Sequence, residues 1–256
     1  MSWDETRALA AIDEEGYVIL ERLLSPETVE EARRGLSDVF EEYERRRGPF
    51  PSPERFIGNL TNKHPFFLRL LEETFPVRRI AETLLGPDYI LGSLNTRCTG
   101  PGTPAQGLHR DHDGELATFV TYLQSIWLFD DFTPENGATV IVPRTHRPES
   151  GDPQPGQSYP TKIVEAPAGS VLVFPAALWH GGGAHRSDAP RRAMHGYFCR
   201  PWCRPQYDNL RSMPQDLLDA ATPFQLQLLG FYAQRAWETD WGEWTVREAG
   251  GQRPPY

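Results

Sequence analysis

The stretch VLVFPAALWHGGG at residues 171–183 sets the reading of the chain. Its first four residues, Val171 to Phe174, form a short apolar run of the length a buried strand needs, with proline next and glycines beyond. Five runs of similar texture surround it: Tyr89–Cys98, Thr118–Phe129, Ala138–Val142, Lys162–Val164 and Ala193–Cys199. Gly, Pro, Asn and Asp separate them. Short strands spaced this way predict an all-β barrel or jelly roll between about 89 and 200.

Outward from that core the texture is helical. Ser25-Pro26-Glu27 supplies an N-cap and a proline at the first helical position. Val29, Ala32, Leu36, Val39, Phe40 and Tyr43 then recur at helical spacing until Gly48. Gly16–Leu20 reads as a short strand, and Pro49–Asn62 as a Pro-rich loop. Phe66, Phe67, Leu70 and Leu71, then Val77 to Leu85, mark a second helical stretch. The tail returns to helix around Pro214–Arg235, and Trp237, Trp241 and Trp244 follow at helical spacing as a packing stripe. No repeat of fixed period and no low-complexity linker interrupts the chain. The expectation is one domain over 1–256: a helical part to about 88, a β core over about 89–200, and a helical tail from about 201. The fold class is mainly β with flanking helices.

Composition narrows the function. The chain has 256 residues, a net charge of −9, and only two lysines, Lys63 and Lys162. That charge disfavours a bulk-charge partner such as nucleic acid or an anionic membrane. No apolar run reaches the roughly 18 residues a membrane span needs, and the N-terminus lacks signal-peptide order. Cys98, Cys199 and Cys203 are too few and scattered for a disulfide framework or a zinc site. These features predict a cytoplasmic protein, monomer or homodimer, acting on a small molecule.

The chemistry concentrates in two places. Residues 106–114 read QGLHRDHDG, with His109 and Asp111 two apart. On a strand such residues share a face, so an imidazole and a carboxylate would meet at one point while His112 points away. Asp113 is the alternative carboxylate. A further histidine, His180, follows the run at 171–174. Two imidazoles and one carboxylate make the facial set that binds Fe(II) and leaves positions open, although periodicity alone leaves the metal undecided. Arg191 lies eleven positions beyond His180, at the start of the last apolar strand. A guanidinium inside a barrel is costly unless a carboxylate meets it, and its planar fork suits a carboxylate best. Arg192, on the opposite face, reads as a solvated residue. His195, four beyond Arg191, points inward by alternation, and Asn95 reads as a polar barrel residue. His146 reads as ordering the loop after its strand.

Several blocks of the sequence, in order over about 200 residues, resemble the phytanoyl-CoA dioxygenase family of Fe(II)/2-oxoglutarate-dependent oxygenases. They are Glu15–Leu20 with Leu24–Glu27, Leu70 through Gly86, the His109–Asp111 pair, Asp130–Thr139 into Val142–His146, and His180-Gly-Gly-Gly with Arg191 beyond. Two positions depart from the family pattern. Residues 143–146 read PRTH where P-G-S-H is usual, and His185 stands where Asn is usual.

The resemblance implies a double-stranded β-helix of the cupin-like, jelly-roll kind, with Fe(II) held by His109, Asp111 and His180. It implies Arg191 as partner of the distal carboxylate of 2-oxoglutarate, with Gln106 and Thr139 contacting the same cosubstrate or stabilising turns. Dioxygen is the third reactant. Oxidation of an unactivated C–H bond is the implied reaction, with hydroxylation the default and desaturation, epimerisation or cyclisation on the same site as alternatives. Asp111 disfavours halogenation, since family halogenases carry a small residue there. Scarce lysine argues against a CoA thioester, leaving a natural-product biosynthetic intermediate as the expected substrate. A cupin-like binding protein without turnover and a zinc hydrolase or isomerase are the rivals. The loops at 49–62 and 151–160 are candidate lids.

Overall fold

The computed structural model describes residues 3–112 and 117–231. Helix α1 (Glu5–Glu15) starts at Asp4, whose carboxylate accepts the Arg7 N–H, and stops at Gly16. Strand β1 (Val18–Leu20) leads to α2 (Pro26–Arg47), where Ser25 caps the Thr28 N–H and Pro26 presets the first turn. Three arginines, Arg45 to Arg47, close α2 at the negative end of its dipole. Then come β2 (Arg55–Ile57), α3 (Pro65–Glu73), α4 (Phe75–Leu85), β3 (Ile90–Cys98) and β4 (Tyr122–Leu128). Strands β5 (Thr139–Ile141), β6 (Lys162–Ile163), β7 (Val171–Pro175), β8 (His180–Gly182) and β9 (Ala193–Cys199) follow, then short helices α5 (Asn209–Ser212), α6 (Gln215–Asp219) and α7 (Pro223–Leu228).

Among the described residues, six strands form an antiparallel sheet in the order β1-β7-β4-β9-β3-β2, and three form a second in the order β6-β5-β8. Strand alternation sorts the large sheet's side chains into two cores. Leu123, Trp127, Val171, Val173, Met194 and Phe198 face outward into one cluster with Leu36, Phe67, Leu70 and Ile80 of the helices. Ile126, Leu128, Leu172, Phe174 and Ala193 face inward against Ile141, Val164 and Leu178 around the small sheet. Both faces of the central strands are therefore buried, which is why their sequences are apolar nearly throughout. Trp127 is wholly buried, and truncating it to Ala would cost about 3–5 kcal/mol.

The architecture is the jelly roll expected, with local differences. Strand β4 begins at Tyr122, four residues later than the run from Thr118 implied. The Pro-rich segment 49–62 contains β2, paired with β3, and a 3₁₀ turn at Leu60–Asn62. Among the described residues the tail holds three short helices, the first ahead of the helical stretch expected around Pro214–Arg235, and Pro214 and Pro223 each stand at the start of a new one. Trp237, Trp241, Trp244 and Asp113 lie outside the described residues. No described helix is long and apolar enough to cross a membrane.

Candidate metal centre

His180 opens β8, but His109 lies in no regular strand, contrary to the expectation that the His109–Asp111 pair sits on one. A single antiparallel bridge holds it: the His109 N–H donates to the His180 carbonyl at 2.9 Å, and the His180 N–H donates back at 2.8 Å. The Asp111 N–H donates to the Ala176 carbonyl at 2.9 Å. Glycine makes this approach possible, since a Cβ at Gly181 would stand 3.0 Å from the Gly107 carbonyl oxygen.

The side chains converge. His109 Nε2 lies 3.5 Å from Asp111 Oδ1, and His180 Nε2 lies 3.4 Å from Asp111 Oδ2. The three donor atoms all fall within 4.8 Å of one another. Each imidazole's Nδ1 faces a backbone carbonyl two residues back: Gly107 at 2.9 Å for His109, Leu178 at 3.0 Å for His180. A proton on Nδ1 satisfies those carbonyls and leaves both Nε2 lone pairs pointing at the shared centre. Gln124 donates its amide N–H to Asp111 Oδ2, and the Tyr197 hydroxyl donates to the Asp111 carbonyl at 2.9 Å. Burial pushes the Asp111 carboxyl up, but hydrogen bonding and charge from the imidazoles while they are protonated, His180 first and then His109, outweigh it and hold the group at about 2. An anionic oxygen with two neutral nitrogens is a donor set that Fe(II) accepts.

Arg191 precedes β9 and pairs with Thr99 through a two-way backbone bridge, 2.8 and 3.0 Å. It is 3% exposed, yet no carboxylate among the described residues pairs with it. Its Nε donates to Thr99 Oγ1 at 3.2 Å, and its guanidinium stands 4.2 Å from the Phe132 ring centroid. Burial pulls it down to about 10. Arg192 points the other way, as alternation requires. It is not freely solvated, because Asp130 takes its Nε at 2.8 Å and its second amino group at 2.9 Å.

One cavity of about 60 Å³ is lined by His109, Asp111 and His180 together with Arg191, Gln106, Thr139 and His195. Gln106 stands at its mouth, where its Oε1 accepts the Gly182 N–H at 3.0 Å. Thr139 is buried opposite Gly182. His112 turns away and packs edge-on against Tyr122, and His146 packs against Gly16. Asn95 accepts from the Asn59 N–H and the Tyr207 hydroxyl, both at 3.0 Å. Two contributors, Gln124 and Thr99, went unread in the sequence, and His185 was noted there only as a departure from the family pattern. His185 Nδ1 lies 2.9 Å from Thr99 Oγ1, and its Nε2 lies 2.9 Å from the Ala189 carbonyl, so it steadies the hydroxyl that holds Arg191. Alternation along β4 could have found Gln124. Nothing local pairs residue 99 with 185.

A family model described as phytanoyl-CoA dioxygenase (PhyH) matches residues 12–193. Dioxygenase trt7 of Aspergillus terreus is 28% identical over 243 residues, covering 88% of this chain and 83% of the relative. The solved structure of SnoK, a non-heme alpha ketoglutarate dependent carbocyclase from nogalamycin biosynthesis, superposes with a TM-score of 0.63 at 21% identity, covering 85% of this chain and 90% of that one. HygX from Streptomyces hygroscopicus, solved with nickel and 2-oxoglutarate bound, gives a TM-score of 0.60 at 19% identity, covering 78% and 89%. At such identities the two structures share the fold.

Proposed function

The chain belongs to the phytanoyl-CoA dioxygenase family of Fe(II)- and 2-oxoglutarate-dependent enzymes, and from that premise we propose that His109, Asp111 and His180 hold Fe(II) while Arg191 holds the distal carboxylate of 2-oxoglutarate. The observation that carries this reading is the buried guanidinium of Arg191, without a carboxylate partner among the described residues, in the same cavity as the converged triad. The charge of a dicarboxylate offsets that of the arginine, and a bidentate pair fixes its orientation.

When bound, the metal held by His109, Asp111 and His180 would supply the oxidation of an unactivated C–H bond, at the expense of dioxygen and of 2-oxoglutarate, which would leave as succinate and CO2. The chain's own work is positional. Gln124 fixes the rotation of the Asp111 carboxylate, and the carbonyls of Gly107 and Leu178 fix the two imidazoles. Thr99 and Phe132 aim Arg191. Thr139 contacts the cosubstrate from the cavity wall, and Gln106, its Oε1 engaged by Gly182, offers its amide N–H groups. Hydroxylation of a small natural-product intermediate by a cytoplasmic enzyme, acting as one domain over 1–256, is the reading we favour. Desaturation, epimerisation and cyclisation would use the same residues.

The test is aerobic incubation of the full chain with Fe(II), ascorbate and 2-oxoglutarate, followed by succinate measurement. Succinate should form with Fe(II) and not with Zn(II). No Fe(II)-dependent succinate, or an activity that Zn(II) supports equally, would overturn the reading.

A further inference from the structure

A second cavity, of about 320 Å³, adjoins the first and shares Arg97, Asp111 and His195 with it. Its wall is the inner face of β3, β9 and β4. The register sets Ser93, Tyr197 and Gln124 in one row, with Asn95 and His195 in the next. On the same inner face of the neighbouring strand β7 stand Leu172 and Phe174, packed in the apolar core. The sheet face thus changes from apolar to polar where it meets this cavity.

We infer that this cavity is the substrate subsite and that it takes a compact molecule rich in hydroxyl or amine groups. The inference rests on the proposed function and names its substrate class. An apolar ligand would strip water from these side chains and return nothing, whereas hydroxyl and amine groups replace water in kind. The volume sits at the low end for ligand pockets, roughly 300–1,000 Å³, which disfavours a long acyl chain. The cationic groups are already neutralised: Arg97 pairs with Glu54 at 2.7 Å, and Arg110 pairs with Asp152. A phosphate or CoA group therefore finds no uncommitted charge. Hydrogen-bonding capacity is left over instead. The His195 ring bonds to no described residue, and its Nε2 and the Gln124 Oε1 are buried without partners. His195, on the wall between the two cavities, is the residue that most directly selects such a substrate.

The experiment uses the full chain loaded with Zn(II) and 2-oxoglutarate. Saturation-transfer NMR compares myo-inositol, methyl α-glucoside and 2-deoxystreptamine with octan-1-ol and toluene. At least one polyol or aminocyclitol probe should bind, and His195→Phe should weaken it at least tenfold. Gln206→Leu, an exposed change at the cavity rim, should weaken it too without threatening folding. Binding of only the apolar probes, binding of none, or polyol binding indifferent to both variants would overturn the inference. Calorimetry on the same samples separates the two claims. Intact metal and 2-oxoglutarate binding with failed polyol binding strikes this inference alone, and loss of both strikes the proposed function.

Discussion

His109 and His180, 71 positions apart in sequence, are clamped by both hydrogen bonds of one antiparallel bridge, at 2.9 and 2.8 Å. The clamp fixes the spacing of the two Nε2 atoms through the backbone, before any metal arrives. Replacing His109, Asp111 or His180 with Ala removes a donor from this preset arrangement. Each change should lower Fe(II) affinity by more than about 100-fold, beyond the 10–100-fold range typical of losing a group that merely orients a ligand. Gln124→Leu should fall within that lower range, because the carboxylate stays and only its hydrogen bond goes. Metal titration by calorimetry ranks the four variants.

Arg192 tests the opposite face. Its pair with Asp130 is partly shielded, with 33% and 16% of the two side chains exposed, so it is worth about 1 kcal/mol. Arg192→Ala should lower the melting temperature by about 2–4 °C and leave 2-oxoglutarate affinity unchanged. Weakened 2-oxoglutarate binding in this variant would mean that Arg192 faces the cavity.

His185 positions Arg191 through Thr99. His185→Ala should weaken 2-oxoglutarate binding by roughly fivefold, the equivalent of losing one hydrogen bond worth about 1 kcal/mol. His185→Asn keeps a hydrogen-bonding side chain and should recover most of that loss. Equal affinities in all three proteins would remove His185 from the positioning chain.

Acid should begin to destabilise the fold as pH falls below about 6.5. Burial, above all, pushes His195 down to about 3, against roughly 6.5 in an unfolded chain. Between those values the unfolded state binds the proton and the folded state does not. Stability is therefore complete above about pH 6.5 and falls as pH drops, by up to about 1.4 kcal/mol per pH unit. Burial shifts His146 and His185 in the same direction, adding to the slope. Urea unfolding at pH 7 and pH 5 should show the loss, and His195→Leu should reduce the slope by about one proton. An identical slope in the variant would place His195 in solvent.

Strand texture was legible because β4, β7 and β9 are covered on both faces, so their apolar runs needed no partner to be recognised. The candidate triad was legible because a two-residue spacing and a glycine-flanked histidine are local patterns. Residues 109–111 nevertheless belong to no regular strand: one bridge to His180 does the work, and pairing across 71 positions leaves no mark on either segment alone. The same reason hid Thr99 and its contact with His185, which depends on the bridge between Thr99 and Arg191. The polar inner face around His195 and Gln124 required the register of three strands, which sequence alternation does not supply.

The central claim is that metal and Arg191 together bind 2-oxoglutarate in one cavity, and calorimetric titration of 2-oxoglutarate into the full chain tests it most directly. The account predicts one binding event that needs a divalent metal on the triad and is weakened by roughly one to three orders of magnitude in Arg191→Ala, the scale of leaving a shielded carboxylate unpaired. Arg191→Lys should recover only part of that, since a point charge lacks the fork. Binding of equal strength without metal, or in Arg191→Ala, would contradict it.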